Sequence, residues 1–331
     1  MIVNHQAHWY PPAYFDLVSG RDQDRYPRAE RRDGRRYLYE MGDSPGAWRY
    51  EIASHFVDLD QQIRAMDDAG IHAAAMSPNM VAELALLDLA EARETASLLN
   101  RELSAAQDRY PGRIAGIATL PWQNTDAALE ELDRVAELDL RGVLLLSNIG
   151  GRPVAEPESW PIFERIDELG LPIFLHPASN SMIHDKGLIP IIDSSAGWMW
   201  ETSAAAFSLI VSGLLDRYPR LEILHHHLGG VVPYVVGRVS RYEHHFPVKL
   251  EQPVEAYLRT RFYVDSMTNT PAAIPLAVHT YGADRILYGD DYPWHTHDEH
   301  RAFIDGDFEA ELAQKVLHEN RMPSLRLEGR R

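Results

Sequence analysis

Three aliphatic runs in this chain stop on histidine or aspartate and are then broken by proline or glycine. Leu221-Glu222-Ile223-Leu224 leads into His225-His226-His227-Leu228-Gly229-Gly230, Ile173-Phe174-Leu175 into His176-Pro177, and Ile286-Leu287-Tyr288 into Gly289-Asp290-Asp291-Tyr292-Pro293. A short apolar run without polar alternation suits a strand buried on both faces, which means a parallel sheet covered by helices. An imidazole or carboxylate at the end of such a strand is delivered to the mouth of the sheet, where metal-ligand chemistry is built. The chain is thereby constrained to an α/β fold with its chemistry at strand ends.

Short β-rich runs alternate with amphipathic helical patterns from end to end, about eight times, as in βα units around a parallel sheet. The strands are expected at Met1–Asn4, Ala73–Ser77, Ile114–Thr119, Gly142–Leu146, Ile173–Leu175, Glu222–Leu224, Phe262–Val264 and Arg285–Tyr288. Helices are expected near Asp58–Gly70, Leu87–Arg109, Thr125–Leu138, Pro161–Leu169, Ser203–Tyr218 and Thr270–Tyr281. This count suits a closed (β/α)8 TIM barrel, one domain over residues 1–331. An open doubly wound sheet would carry a Gly-rich phosphate turn after its first strand, where this chain has His, Gln and Trp. Two irregular stretches, Ser19–Arg49 and Ala178–Trp200, follow the first and fifth strands, so a barrel makes them lid insertions on the catalytic face. The alternative for the first is a solvated loop. Trp198 and Trp200 in the second suit an aromatic pocket wall, against the commoner role of tryptophan in cores and interfaces.

The 331 residues include no cysteine, which removes thiolate metal sites, disulfides and thiol nucleophiles together and leaves histidine and carboxylates as the protein metal ligands. A formal charge of −17 argues against a nucleic-acid surface. No apolar stretch approaches the ~20 residues a bilayer requires, and no secretion signal is evident, so a cytoplasmic location is expected.

In an extended first strand, Asn4, Gln6 and His8 share one face while His5 and Ala7 share the other. Gln6 and His8 then join His176 and Asp291 at the barrel mouth, three or four N/O donors of the kind that hold a catalytic zinc or manganese ion. His227 is a fifth group there. It is either a ligand or, better matched to its near-neutral pKa, a proton shuttle beside the metal. A lone strand-end histidine is more often a hydrogen-bonded structural residue, and His5, His225 and His226 are given that role.

The chain also carries Ala65-Met66-Asp67-Asp68-Ala69-Gly70-Ile71 before Met76-Ser77-Pro78-Asn79, then Ala118-Thr119-Leu120-Pro121, Leu175-His176-Pro177, His227-Leu228-Gly229-Gly230 through Pro233-Tyr234 to Gly237-Arg238, and Gly289-Asp290-Asp291-Tyr292-Pro293. With these motifs it resembles the amidohydrolase superfamily, in the branch of aminocarboxymuconate-semialdehyde and γ-resorcylate decarboxylases. The resemblance covers nearly the whole chain and implies a (β/α)8 barrel with one divalent metal, zinc or manganese, and no organic cofactor. It implies His8, His176 and Asp291 as metal ligands and His227 as the proton donor or acceptor. Arg238 falls on an arginine that reaches a neighbouring subunit's site to hold a substrate carboxylate, which implies a homodimer or higher homo-oligomer. Trp294 stands where the family places an aromatic against substrate, and Arg49, or His55 instead, stands near a second carboxylate-binding arginine. Gln6 departs from the pattern. Hydrolases and the semialdehyde decarboxylase have His there and resorcylate-type decarboxylases have Glu, so the neutral amide is expected to be a weaker ligand. Asp290, where the family usually has Ser or Thr, either adds negative charge near the metal or faces outward.

Three functions are compatible with these residues. The first is a metal-dependent non-oxidative decarboxylase of a hydroxylated aromatic or unsaturated carboxylic acid, a carboxy-lyase acting on a small-molecule carboxylate. The second is a metal-dependent hydrolase of an ester, lactone or amide, in which His227 or Asp291 accepts a proton from metal-bound water. The third is a metal-free binding homologue, motivated by Gln6.

Overall fold

The computed structural model describes residues 1–19, 21, 27–39, 49–78, 84–178, 192–268 and 270–327. Eight parallel strands follow one another around a barrel: β1 (Ile2–His8), β2 (Ile71–Ser77), β3 (Ile114–Ala118), β4 (Gly142–Leu146), β5 (Ile173–His176), β6 (Ile223–His225), β7 (Phe262–Asp265) and β8 (Ile286–Leu287). The seam between first and last strand is closed by His5 N donating to Tyr288 O at 2.8 Å and His8 N donating to Tyr292 O at 2.7 Å. Helices cover the outside at Leu59–Asp68, Leu89–Arg109, Thr125–Glu137, Trp160–Leu169, Trp198–Val211 and Ala273–Tyr281. Asp58, Asp88 and Asn124 start three of them by accepting a hydrogen bond from the third residue on, which satisfies one otherwise orphaned N–H in each. The helix expected over Ser203–Tyr218 begins earlier, at Trp198, and is interrupted at Gly213, whose φ of 79° opens a second short helix, Leu214–Arg217. Among the described residues, no helix is long and apolar enough to cross a membrane.

Strand alternation sorts the side chains. Phe174, Leu224, Tyr263 and Leu287 fill the barrel interior with Ala75, Ile117 and Leu144, while Ile173, Leu175, Ile223, Val264 and Ile286 face the helices. Two residues beyond each interior residue the strand has reached the mouth, so His176, His226, Asp265 and Gly289 also point inward. This barrel therefore stacks apolar filling below and polar side chains above.

The first strand breaks this alternation. Asn4 pairs with Ala74 and Ala7 with Met76, so three steps along β1 match two along β2, a one-residue bulge. Asn4 is thereby turned away from Gln6 and His8, contrary to the shared face expected of a regular strand, and its Nδ2 donates to Asp290 at 2.6 Å.

The segment Ser19–Arg49 is not the aperiodic loop that its composition suggests. Its described residues form a three-stranded antiparallel sheet, Arg28–Arg32, Arg35–Tyr39 and Arg49–Glu51. The turn is Asp33-Gly34, both with positive φ (52° and 77°), as a two-residue hairpin loop requires. Arginines flank that turn on both sides and mask the alternation, but the Asp-Gly pair was a visible hairpin signal. The sheet packs Leu38 and Ile52 onto an aromatic cluster of Tyr10, Tyr14, Phe15 and Phe56. Residues 20, 22–26 and 40–48 of this insertion, and 179–191 of the second, lie outside the described residues.

Candidate active site

At the barrel mouth His8, His176 and Asp291 each present one ligand atom, and these atoms lie within 4.8 Å of one another. Each imidazole is held by its other nitrogen: His8 Nδ1 is 3.1 Å from Ser77 Oγ, and His176 Nδ1 donates to the Pro177 carbonyl at 2.9 Å. Such outer hydrogen bonds set the tautomer in which Nε2 carries the lone pair, the arrangement typical of metal-bound histidine. His8 Nε2 lies 2.8 Å from Asp291 Oδ1. Gln6 approaches from the same strand as His8. Its Nε2 is 3.2 Å from His227 Nε2, and its Oε1 is buried with no hydrogen-bond partner among the described residues. A buried carbonyl oxygen without a partner, two residues before His8 on the same strand, is a donor of the kind that divalent cations take. The residues fit a divalent metal.

Burial by itself would push the Asp291 carboxyl up, but the imidazoles of His227 and His8 outweigh it and hold that carboxyl well below the usual range. Burial, reinforced by the neighbouring His8, His226 and His227, holds His176 neutral, as a ligand must be. His227 goes the other way. Burial opposes its charge, yet the Asp291 carboxylate, with Oδ2 at 3.7 Å from Nε2, raises its pKa.

His227 and Leu228 both adopt left-handed backbone, φ 57° and 53°, which aims the His227 ring back over Asp291. The two glycines that follow cannot be replaced without collision. A Cβ on Gly229 would strike the Tyr281 ring, and one on Gly230 would lie 2.6 Å from the Met199 carbonyl.

The remaining histidines divide. His5 Nδ1 meets the Tyr288 carbonyl at 3.0 Å, a structural bond. His226 is more than the isolated structural residue expected, since its ring packs against those of His176 and His227 and its Nδ1 donates to the buried Asp265 carboxylate at 2.6 Å. Asp265 was missed by sequence reasoning because β7 ends on it without the His or Gly-Asp punctuation of the other strands. Burial pushes its carboxyl up to about 6, against the pull of His227 and of the Leu228 and Met267 N–H groups. Asp290 faces away from the ligand set, accepting from Asn4, from Tyr288 Oη at 2.8 Å and from His297 Nδ1 at 2.6 Å, and those partners consume its charge.

His225 lies outside the barrel interior, wholly buried, with neither ring nitrogen hydrogen-bonded among the described residues. Burial, with His226 and His227 nearby, pushes its pKa down to about 3. The folded state thus refuses a proton that the unfolded chain accepts below pH ~6.5, so stability is lost as pH falls from there towards 3. At pH 5 this amounts to about 2 kcal/mol. His225→Leu removes the effect: urea unfolding in chelator is expected to show it gaining about that much on the native protein between pH 7 and pH 5. An unchanged difference between the two proteins across that range would refute the assignment.

Above the donors opens a cavity of about 740 Å3, with His227 and Asp291 on its floor and Trp198, Met199, Met267 and His295 among its walls. No arginine or lysine lines it among the described residues. Of the two tryptophans expected to wall a pocket, only Trp198 does so. Trp200 is 55% exposed and lines a neighbouring apolar groove with Phe207, Val235, Arg238 and Tyr242, because it lies on the outer face of its helix. Trp294 also departs from expectation. Its N–H bonds the Asp291 carbonyl in a tight turn that carries its ring edge-on onto Phe56 at 4.8 Å, in the aromatic cluster rather than the cavity wall. His55 belongs to the same cluster, 4.9 Å from Phe56. The Arg49 backbone pairs with Tyr39, which places that residue in the hairpin sheet.

A (β/α)8 barrel whose mouth gathers two imidazoles and a carboxylate within reach of one cation has the architecture of a metal-dependent barrel enzyme. The chain belongs to the amidohydrolase family, whose profile matches residues 5–320. It is 30% identical to gamma-resorcylate decarboxylase of Polaromonas sp., over 81% of this chain and 87% of that one. It is likewise 30% identical to 2-amino-3-carboxymuconate-6-semialdehyde decarboxylase of Dictyostelium discoideum, over 75% of this chain and 70% of that one. A solved dihydroxybenzoic acid decarboxylase from Polaromonas, with bound manganese and the inhibitor 2-nitroresorcinol, superposes with a TM-score of 0.71 at 27% identity, covering 82% of this chain and 90% of that one.

Proposed function

We propose that this chain is a metal-dependent non-oxidative decarboxylase of a hydroxylated aromatic acid. The observation that carries the reading is the convergence of His8, His176 and Asp291, the last of which lines a largely apolar cavity together with His227. Its similarity to decarboxylases of resorcylate and of a carboxymuconate semialdehyde supports the same reaction type. His8, His176, Asp291 and the Gln6 carbonyl oxygen would hold zinc or manganese, and the bound cation would supply positive charge for the substrate carboxylate or an adjacent hydroxyl.

The chain's own residues account for the proton. In the reaction the ring carbon loses CO2 and keeps the electron pair of the broken bond, and one proton must arrive at that carbon. His227 Nε2 is placed to deliver it, and the Asp291 carboxylate favours the imidazolium that carries it. Trp198, Met199 and Met267 offer apolar surface on which the substrate ring can pack. A second copy of the chain would bring Arg238, exposed on the helix Val232–Ser240, to a cavity that no arginine or lysine lines among the described residues.

The test is CO2 release from a panel of hydroxybenzoates by protein loaded with manganese or zinc, each turnover yielding one phenol. Faster hydrolysis of esters or lactones than decarboxylation of any acid in the panel would overturn the reading. For Gln6, exchanging the amide for a carboxylate adds a charged donor at the orphaned position, so Gln6→Glu is expected to tighten metal binding by roughly tenfold or more in chelator competition. An unchanged or weaker affinity would mean that Gln6 Oε1 serves something other than the metal.

A further inference from the structure

The turn that presents His227 is held by a group outside the ligand set. Two consecutive non-glycine residues, His227 and Leu228, sit in left-handed backbone, a conformation that persists only where surrounding contacts over-determine it. Within the turn itself the Gly230 N–H returns to the His227 carbonyl, which closes the loop but does not orient it relative to the barrel. The anchor to the barrel is Asp265. Its Oδ2 accepts from His226 Nδ1 at 2.6 Å, and its Oδ1 accepts from the Leu228 N–H at 3.2 Å and the Met267 N–H at 3.1 Å. The carboxylate thus grips the residue before His227, the residue after it, and its own strand end. It is fully buried, so no water competes for these bonds. Space for it is provided by Gly289, where a Cβ would come within 2.7 Å of the Asp265 Cβ.

We propose that Asp265 is a positioning residue that fixes the left-handed turn and thereby sets His227 Nε2 beside Gln6 and Asp291. The inference rests on the reading of His227 as proton carrier only for its effect on turnover, since the ring's placement can be followed independently. Asp265→Ala frees both neighbours of His227 at once. Asp265→Asn keeps an oxygen for the two backbone N–H groups and loses the carboxylate partner of His226, so it should restore part of what alanine removes.

Zinc-loaded protein, which is diamagnetic, allows the His227 ring to be followed by nitrogen NMR of labelled histidine while kcat, KM and metal content are measured on the same samples. In Asp265→Ala the His227 signals should shift or broaden, kcat should fall on the order of 100-fold with KM changed far less, and metal content should stay close to native. Asp265→Asn should recover at least tenfold of that kcat and sharpen the His227 signals, roughly the effect of regaining one oriented contact. Unperturbed His227 signals in a folded Asp265→Ala protein would overturn the inference, and so would a loss of kcat that only tracks loss of metal. If alanine prevents folding, Asp265→Asn carries the test: a His227 spectrum and kcat both identical to native would refute the anchor. His227→Asn, assayed alongside, separates the two ideas. If it retains native turnover while Asp265 variants still disturb the ring, the anchor stands and the proton-carrier role falls.

Discussion

His176→Ala is expected to leave the protein with little bound metal after dialysis and to lower kcat/KM by more than the roughly 10- to 100-fold that losing an outer hydrogen-bond partner costs a metal site. Among the described residues His176 is one of three charged or imidazole donors in the cluster. The ring is pinned from behind by its bond to Pro177, so removing it leaves a hole facing the cation rather than a space another side chain can enter. Elemental analysis of the purified variant, with a melting curve to show that it is folded, gives the answer. Full occupancy and native turnover would remove His176 from the ligand set.

The second large effect concerns shared sites. Mixing two inactive variants, Arg238→Ala and His227→Ala, is expected to restore about a quarter of native activity once subunits exchange at equal concentration. Half of randomly formed dimers are mixed, and each mixed dimer has one site with its own His227 and its partner's Arg238 both intact. The structure motivates the experiment because Arg238 lines an apolar groove with Trp200, Val235 and Tyr242 instead of facing the cavity of its own chain. Tyr234, one helical turn earlier and 84% exposed, lines that cavity, so a chain docked over this helix is next to both. A planar guanidinium suits the task, since it clamps a carboxylate with two parallel bonds. A protein that sediments as a monomer, or verified exchange without recovery, would reject a site shared between copies.

Most of the barrel was legible because strands buried on both faces must be continuous aliphatic runs, and helices packed on one side must repeat every three to four residues. The same logic exposed His176, His227 and Asp291, each at or just past the end of an aliphatic run and followed by proline or glycine within a few residues, while His8 was read from side-chain alternation along the first strand. What escaped has a common cause in side-chain direction. The β1 bulge is a matter of register between two strands, and nothing local in Asn4-His5-Gln6 announces that Asn4 turns outward. Asp265 and Asp290 look alike as strand-end acids, yet one faces the mouth and the other the helix side of the barrel. The Asp33-Gly34 hairpin was the exception, a short-range signal that the surrounding arginines obscured.

The seam of the barrel also dictates when the site can exist during synthesis. Asn4 and Asp290, bonded in the folded protein, are 286 residues apart, and His8 and Asp291 are 283 apart. At the usual pace of translation, the first strand waits roughly 15 to 60 s for its partner to be made. Throughout that interval Asn4 lacks its Asp290 acceptor and Asp291 is missing from the donor cluster, although Ser77 and then His227, the contacts of His8 and Gln6, are made earlier. A nascent chain can therefore gather only part of its ligands, and the complete set forms after the last strand leaves the ribosome. Under the function proposed above, metal loading would then be a closing event of biosynthesis, dependent on the ions available when the chain is finished.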